Sequence, residues 1–196
     1  MGKKEQIYQS TLEIIKQYGL EGVTISKISK KARVSPGIIY HYFNTKEEII
    51  QDLAKEIKRE FFGLFEEVVV LKKPILDCYK YAWLEIFQYG MENPEKLIFL
   101  EKYRNSAYKK PSDVAQEFEF LHHLMIKSQE EIEKGVLKDL PIEALYTMTI
   151  GVAIEFVKME INGIHSFKNC SIEAVAESIC QSILNTKEGV AIAKHQ

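Results

Sequence analysis

Apolar residues recur every three or four positions along almost the whole chain. No segment alternates apolar and polar residues for long enough to make a strand. That periodicity restricts the chain to an all-α architecture, because an apolar stripe on a helix must be buried against another helix. Even VVVL at 68–71 reads as the end of a long helix. The pattern breaks at Gly19, at Lys72-Lys73-Pro74, at Asn93-Pro94, at Pro141 and at Ser171, all residues that end or cap helices. About nine helices result, near 3–18, 24–32, 36–43, 46–70, 75–91, 94–106, 112–134, 141–163 and 171–185. The expected division is a three-helix head at 1–46 and a helical bundle at 47–196, joined by the long helix over 46–70.

Charge is distributed unevenly between these parts. Residues 1–46 hold eight cations (Lys3, Lys4, Lys16, Lys27, Lys30, Lys31, Arg33, Lys46) against Glu5, Glu13 and Glu21. The chain as a whole carries −2, so the remainder is acidic. A basic head on an acidic body suits a head that meets a polyanion. No long uncharged apolar run suggests a membrane span, and MGKKEQIYQ lacks the hydrophobic run of a secretory signal. Gln6 stands where a myristoylation signal needs serine or threonine. Cys78, Cys170 and Cys180 form no CxxC pair and suit reduced thiols in a cytoplasmic protein.

The head carries the most specific signal. Thr24 is placed to cap a short helix ending near Ala32, Arg33 and Val34 make a turn, and Ser35 caps a second short helix with Pro36 at its first position. Two short helices about a tight turn, with a third ahead of them, make a helix-turn-helix, whose second short helix enters the major groove. On that helix Ile39 and Phe43 can face the core with Val34, Ile25 and Ile28. Gly37, Tyr40 and His41 share another face. A glycine there lets the backbone approach another surface closely. Two phenols and an imidazole offer hydrogen bonds to phosphates and flat area to thymine methyls. Thr45 and Glu48 have capping-box spacing, and Lys46 beside them suits a phosphate.

The run from Val23-Thr24-Ile25 through Ile28, Ala32, Val34-Ser35, Gly37, Ile39-Tyr40 and Tyr42-Phe43 to Lys46-Glu47 resembles the TetR family of bacterial transcriptional regulators. The resemblance covers about the first 50 residues. It implies that Thr24, Ser26 and Lys27 hold backbone phosphate, that Ser35, Pro36, Gly37, Ile38, Tyr40, His41 and Tyr42 line the DNA-facing helix, and that Lys46 binds phosphate. Two positions depart from the family's pattern. Pro36 stands where a basic residue is common and cannot make a cationic contact. Ile38 takes a place that is often polar. Specificity is then expected to lean on apolar contact and on His41.

In the family the body binds a small ligand and dimerises. Here Tyr79, Trp83 and Phe87 fall on neighbouring turns of one helix, Tyr103 on the next, and Phe118, His122 and Met125 on one face of the following helix. Aromatic and methionine surface with a few polar tips suits a small apolar or amphipathic effector. His122-His123 lacks partners at metal-ligand spacing, so no metal and no cofactor are expected. The helices at about 141–163 and 171–185 carry TMTIGVAIEFV and the stripe Ile172, Val175, Ala176, Ile179, Ile183, Leu184. They are expected to form the homodimer interface. The reading is a ligand-responsive repressor released from a palindromic operator on double-stranded DNA. An enzyme is not expected, since no catalytic triad or phosphate loop stands out. The alternative is a helical small-molecule-binding or interaction module without DNA binding. It leaves the placement of Gly37, Tyr40, His41 and Lys46 unexplained.

Overall fold

The computed structural model describes residues 2–70, 73–110, 112–164 and 170–185; of 65–70 and 112–121 only the backbone is described. The order is α1 (Lys3–Tyr18), α2 (Ile25–Ala32), α3 (Pro36–Tyr42), α4 (Lys46–Val70), α5 (Ile75–Glu92), α6 (Pro94–Arg104) and α7 (Ser112–Glu133). Then follow α8 (Ile142–Tyr146), a π-helical turn (Thr147–Gly151), α9 (Val152–Ile161) and α10 (Ile172–Gln181). Backbone angles stay helical from Tyr146 through Val152, so α8, the π turn and α9 form one rod. The described residues thus form nine rods, and the fold is all-α as expected.

The chain forms two compact units. The first holds Met1–Glu60 and Asn93–Ala115, the second Phe61–Glu92 and Gln116–Gln196. The division therefore does not fall at residue 46. The first three-fifths of α4 and all of α6 belong with the head, because their apolar faces complete its core.

That core gathers Ile7, Ile14 and Ile15 of α1, Val23, Ile28, Ile39, and Ile49, Ile50 and Leu53 of α4, together with Phe99 and Tyr103 of α6. Full burial of each such aliphatic side chain contributes about 1.5–3 kcal/mol. Gly19 ends α1 at φ 72°, a conformation that costs glycine little, and its N–H bonds the Ile15 carbonyl. Thr24 and Ser35 cap α2 and α3 through side-chain oxygens that accept from Lys27 N and Ile38 N. Each such cap contributes about 1 kcal/mol. Between them Arg33 takes φ 53°, ψ 44°, and it is the one non-glycine residue with positive φ among those described. Ser29 closes this turn: its hydroxyl donates to the Val34 carbonyl at 2.6 Å, and its carbonyl accepts from Val34 N at 3.1 Å.

A polar cluster ties α1 to α4 within this unit. The Tyr8 hydroxyl donates to Asp52, and the Lys4 ammonium lies 2.8 Å from the same carboxylate. Burial, then Asp52, raises the Tyr8 phenol well above its ordinary value. For Asp52, burial pushes upward, but the Lys4 and Tyr8 hydrogen bonds outweigh it and the carboxyl is lowered. Neither contact was expected, because the partners lie far apart in sequence.

In the second unit α5 buries one broad face, through Cys78, Tyr79, Ala82, Trp83, Ile86 and Tyr89, and packs on α9, α10 and the π turn. The hydroxyls of Thr147 and Thr149 donate to carbonyls four residues back, at 2.7 Å each, and accompany the widened turn. The extra residue in that turn lets Leu145, Ile150, Ala153 and Val157 all reach the core. The last helix ends earlier than expected. After Gln181 the chain pairs its backbone with residues 136–138, through Lys138 N to the Ile183 carbonyl and Asn185 N to the Val136 carbonyl, both 2.9 Å.

Candidate nucleic-acid interface

α3 has only seven residues, and its two sides differ sharply. Ile39 is fully buried, and Val34 and Phe43, which flank the helix, join it in the core. On the other side Ser35, Pro36, Gly37 and His41 are exposed, as are Tyr40 at 55% and Tyr42 at 43%. The His41 ring meets the Tyr42 ring edge-on at 5.1 Å. A helix this short that has already filled its core side leaves its remaining rings to solvent or to a partner. Ile38 departs from the expected pattern of exposure. It is half-buried and packs against the core.

Gly37 faces open space. A Cβ built on it would meet only Ser35 Oγ, at 3.8 Å. Nothing within the protein demands glycine there, in contrast to Gly22, where a Cβ would strike Tyr18 Cβ at 2.4 Å.

The hydroxyls of Thr24 and Ser35 accept backbone N–H groups from within the chain, which leaves each O–H free to donate outward. Ser26 is exposed. Lys27 is less free than expected. Its ammonium donates to the Gly22 carbonyl at 2.9 Å and lies 4.3 Å from the centre of the Tyr18 ring. Tyr18 is 54% exposed, and it forms a platform for that lysine. Aromatic and lysine nine residues apart gave no periodic signal; only the close turn at Gly22 brings them together.

Lys46 opens α4, half-buried, beside a helix start capped by Thr45, with Glu48 reaching back to Asn44 N rather than to the cap's own N–H. Glu48 N donates to Thr45 Oγ1 at 3.1 Å, and Asn44 N donates to the Glu48 carboxylate at 2.7 Å. The Asn44 hydrogen bonds lower the Glu48 carboxyl. Lys46 and its neighbours thus present a rigid helix start close after the exposed rings of α3.

The effector residues expected in the body do not form one group. Tyr79 and Trp83 lie in the core of the second unit, the Tyr79 hydroxyl bonded to Ser128 Oγ at 2.9 Å. Burial raises the Tyr79 phenol. Phe87 stacks on Trp83 with centroids 5.7 Å apart, and the Trp83 indole N–H, though buried, has no hydrogen-bond partner among the described residues. Met125 is half-buried, whereas His122 is exposed. Tyr103 belongs to the head core, at 2% exposure, because α6 packs on α1. Phe118 lies outside the described side chains. Among the described residues no three metal-ligating side chains come together, and no helix is long and apolar enough to cross a membrane.

Residues 7–53 match the family model for bacterial regulatory proteins of the tetR family, and residues 74–184 match that for a tetracyclin repressor-like C-terminal domain. The chain belongs to the TetR family. It is therefore a transcriptional regulator with a helix-turn-helix DNA-binding domain, not an enzyme. TetR regulators bind DNA and dimerise. An uncharacterized HTH-type transcriptional regulator of Haemophilus influenzae is 27% identical over 150 residues, 76% of this chain and 79% of that protein. The HTH-type transcriptional regulator BetI of Vibrio parahaemolyticus is 41% identical over 58 residues, 30% of this chain and 29% of that one. A TetR family transcription regulator from Marinobacter aquaeolei has the same fold, with a TM-score of 0.85 at 19% identity, covering 93% of this chain and 96% of that chain.

Proposed function

We propose that the protein is a homodimeric repressor whose α3 reads the major groove of a palindromic operator and which a small apolar or amphipathic effector releases. The observation that carries this reading is the exposure of Tyr40, His41 and Tyr42 on a helix whose opposite side is sealed by Ile39. Gly37 supports it, since an outside surface is the only thing its missing side chain would accommodate. Tyr40, His41, Tyr42 and Gly37 meet base edges and sugar-phosphate; Thr24, Ser26, Ser35, Lys27 and Lys46 hold phosphates. Pro36 and Ile38 add apolar contact. Lys27 must leave the Gly22 carbonyl to do so, or hold phosphate from where it lies.

Dimerisation through α9 and α10 is supported by their half-exposed apolar residues: Val152, Ile154 and Met159 on one, Ile172, Val175 and Ile179 on the other. Twofold symmetry would set two α3 helices roughly 34–36 Å apart, one turn of DNA. Trp83 supports an effector site in the body, because a buried indole N–H without an acceptor among the described residues is costly unless a ligand supplies one. Release follows if the effector binds better to a body arrangement in which both heads cannot dock at once.

A titration of duplex DNA across salt concentrations tests the DNA-facing part. Tyr40→Ala and Lys46→Ala should each lower affinity about tenfold while sedimentation still shows a dimer, and wild-type affinity should fall steeply as salt rises. Unchanged affinity in both variants would overturn the assignment.

A further inference from the structure

The cations of the head are not equally available. Lys3 bonds Gln6, Lys4 bonds Asp52, Lys31 bonds Glu13, and Lys27 bonds the Gly22 carbonyl. Lys16, Lys30 and Arg33 are exposed, and among the described residues their charged groups make no hydrogen bond, ion pair or ring contact; of the three, Arg33 alone lies in the turn that leads into α3. Its backbone is also unusual, for a residue with a Cβ sits in the left-handed region at φ 53°. Glycine would hold this turn without steric cost, and asparagine with little. The turn is thus built around an arginine that the fold itself does not need.

Its place in the motif gives that arginine a use. Arg33 stands two residues before Ser35, the N-cap of α3, and Lys46 stands four residues after Tyr42, the helix's last residue. Seven helical residues span about 10 Å. The major groove is about 12 Å wide, with a phosphate strand on each side. A helix lying in the groove fills that width with its own diameter, so cations just outside its two ends are placed to meet the phosphates that flank it. Pro36, at the first position of α3, supplies no cation.

We infer that Arg33 is a DNA-backbone contact at the start of α3, as Lys46 is beyond its end, and that it provides the positive charge Pro36 lacks. It positions α3 and carries no sequence preference of its own. This rests on α3 being the groove-entering helix.

The test uses the full chain, a duplex selected from a random-sequence library by the wild-type protein, and an unrelated mixed-sequence duplex. Arg33→Gly and Arg33→Asn both suit the left-handed backbone, so their melting temperatures should match or exceed that of the wild type. Both should bind the two duplexes about tenfold more weakly, by similar factors. The slope of log affinity against log salt should become shallower by about one per bound chain. Arg33→Lys should keep the wild-type slope. Wild-type affinity and slope in both the Gly and Asn variants, with Tyr40→Ala still defective, would overturn the role of Arg33 and leave α3 as the reading helix. If Tyr40→Ala also bound normally, the assignment of α3 itself would fall.

Discussion

Helices α3 and α5 both carry aromatic residues at close spacing, and the fold treats them oppositely. Tyr40 and Tyr42 of α3 are exposed, whereas Tyr79 and Trp83 of α5 are almost completely buried. Composition does not separate the two cases. What does is which face of the helix the rings occupy. α3 is short and satisfies the head core with Ile39 and the flanking Val34 and Phe43. Tyr79 and Trp83 stand on the one face of α5 that is buried, in a helix that packs on α9, α10 and the π turn, so these rings are enclosed. An aromatic residue beside a filled core position is thus available to a partner. One on a buried helix face is structural first.

Substitutions in the two helices should therefore divide cleanly between stability and binding. Trp83→Ala removes a fully buried indole stacked on Phe87 and should cost about 3–5 kcal/mol, seen as a large loss in chemical denaturation. A small loss would mean that this part of the body is loosely packed. Ser35→Ala removes the α3 cap and should cost about 1 kcal/mol in the same measurement. Asp52→Asn should flatten the acid side of the stability profile. Because the folded Asp52 carboxyl is lowered, its contribution is present above its ordinary value near pH 4 and is lost as pH falls through the folded value. Wild type should thus exceed the variant at neutral pH and converge with it in strong acid; parallel profiles would remove Asp52 from the account. Tyr40→Ala should change stability by less than about 0.5 kcal/mol, the smallest effect, while weakening DNA binding. A stability loss comparable to that of Trp83→Ala would erase the contrast between the helices.

The helix-turn-helix was legible because its signals are local. Thr24 and Ser35 cap the helices they precede, and Ile28 and Ile39 are buried as their spacing requires. Helix order and number were legible for the same reason. What escaped depends on contacts distant in sequence. Phe99 and Tyr103 enter the head core because α6 returns to α1, which no periodicity in α6 announces. The Tyr8–Asp52 bond spans 44 residues. Lys27 is expected to hold phosphate, and its contacts with Tyr18 and the Gly22 carbonyl, a consequence of the tight turn after α1, give no sign in the sequence. The left-handed Arg33 was visible only as a turn residue. Nothing in the letters says that a non-glycine residue there takes positive φ.

The central claim is that α3 lies in the major groove, twice per operator. Methylation protection on a duplex selected by the protein measures this directly, because guanine N7 is reachable only from that groove. Two protected patches about one helical turn apart are expected, both lost in Tyr40→Ala. Full binding with guanine N7 unprotected, or with protection confined to the minor groove, would contradict it.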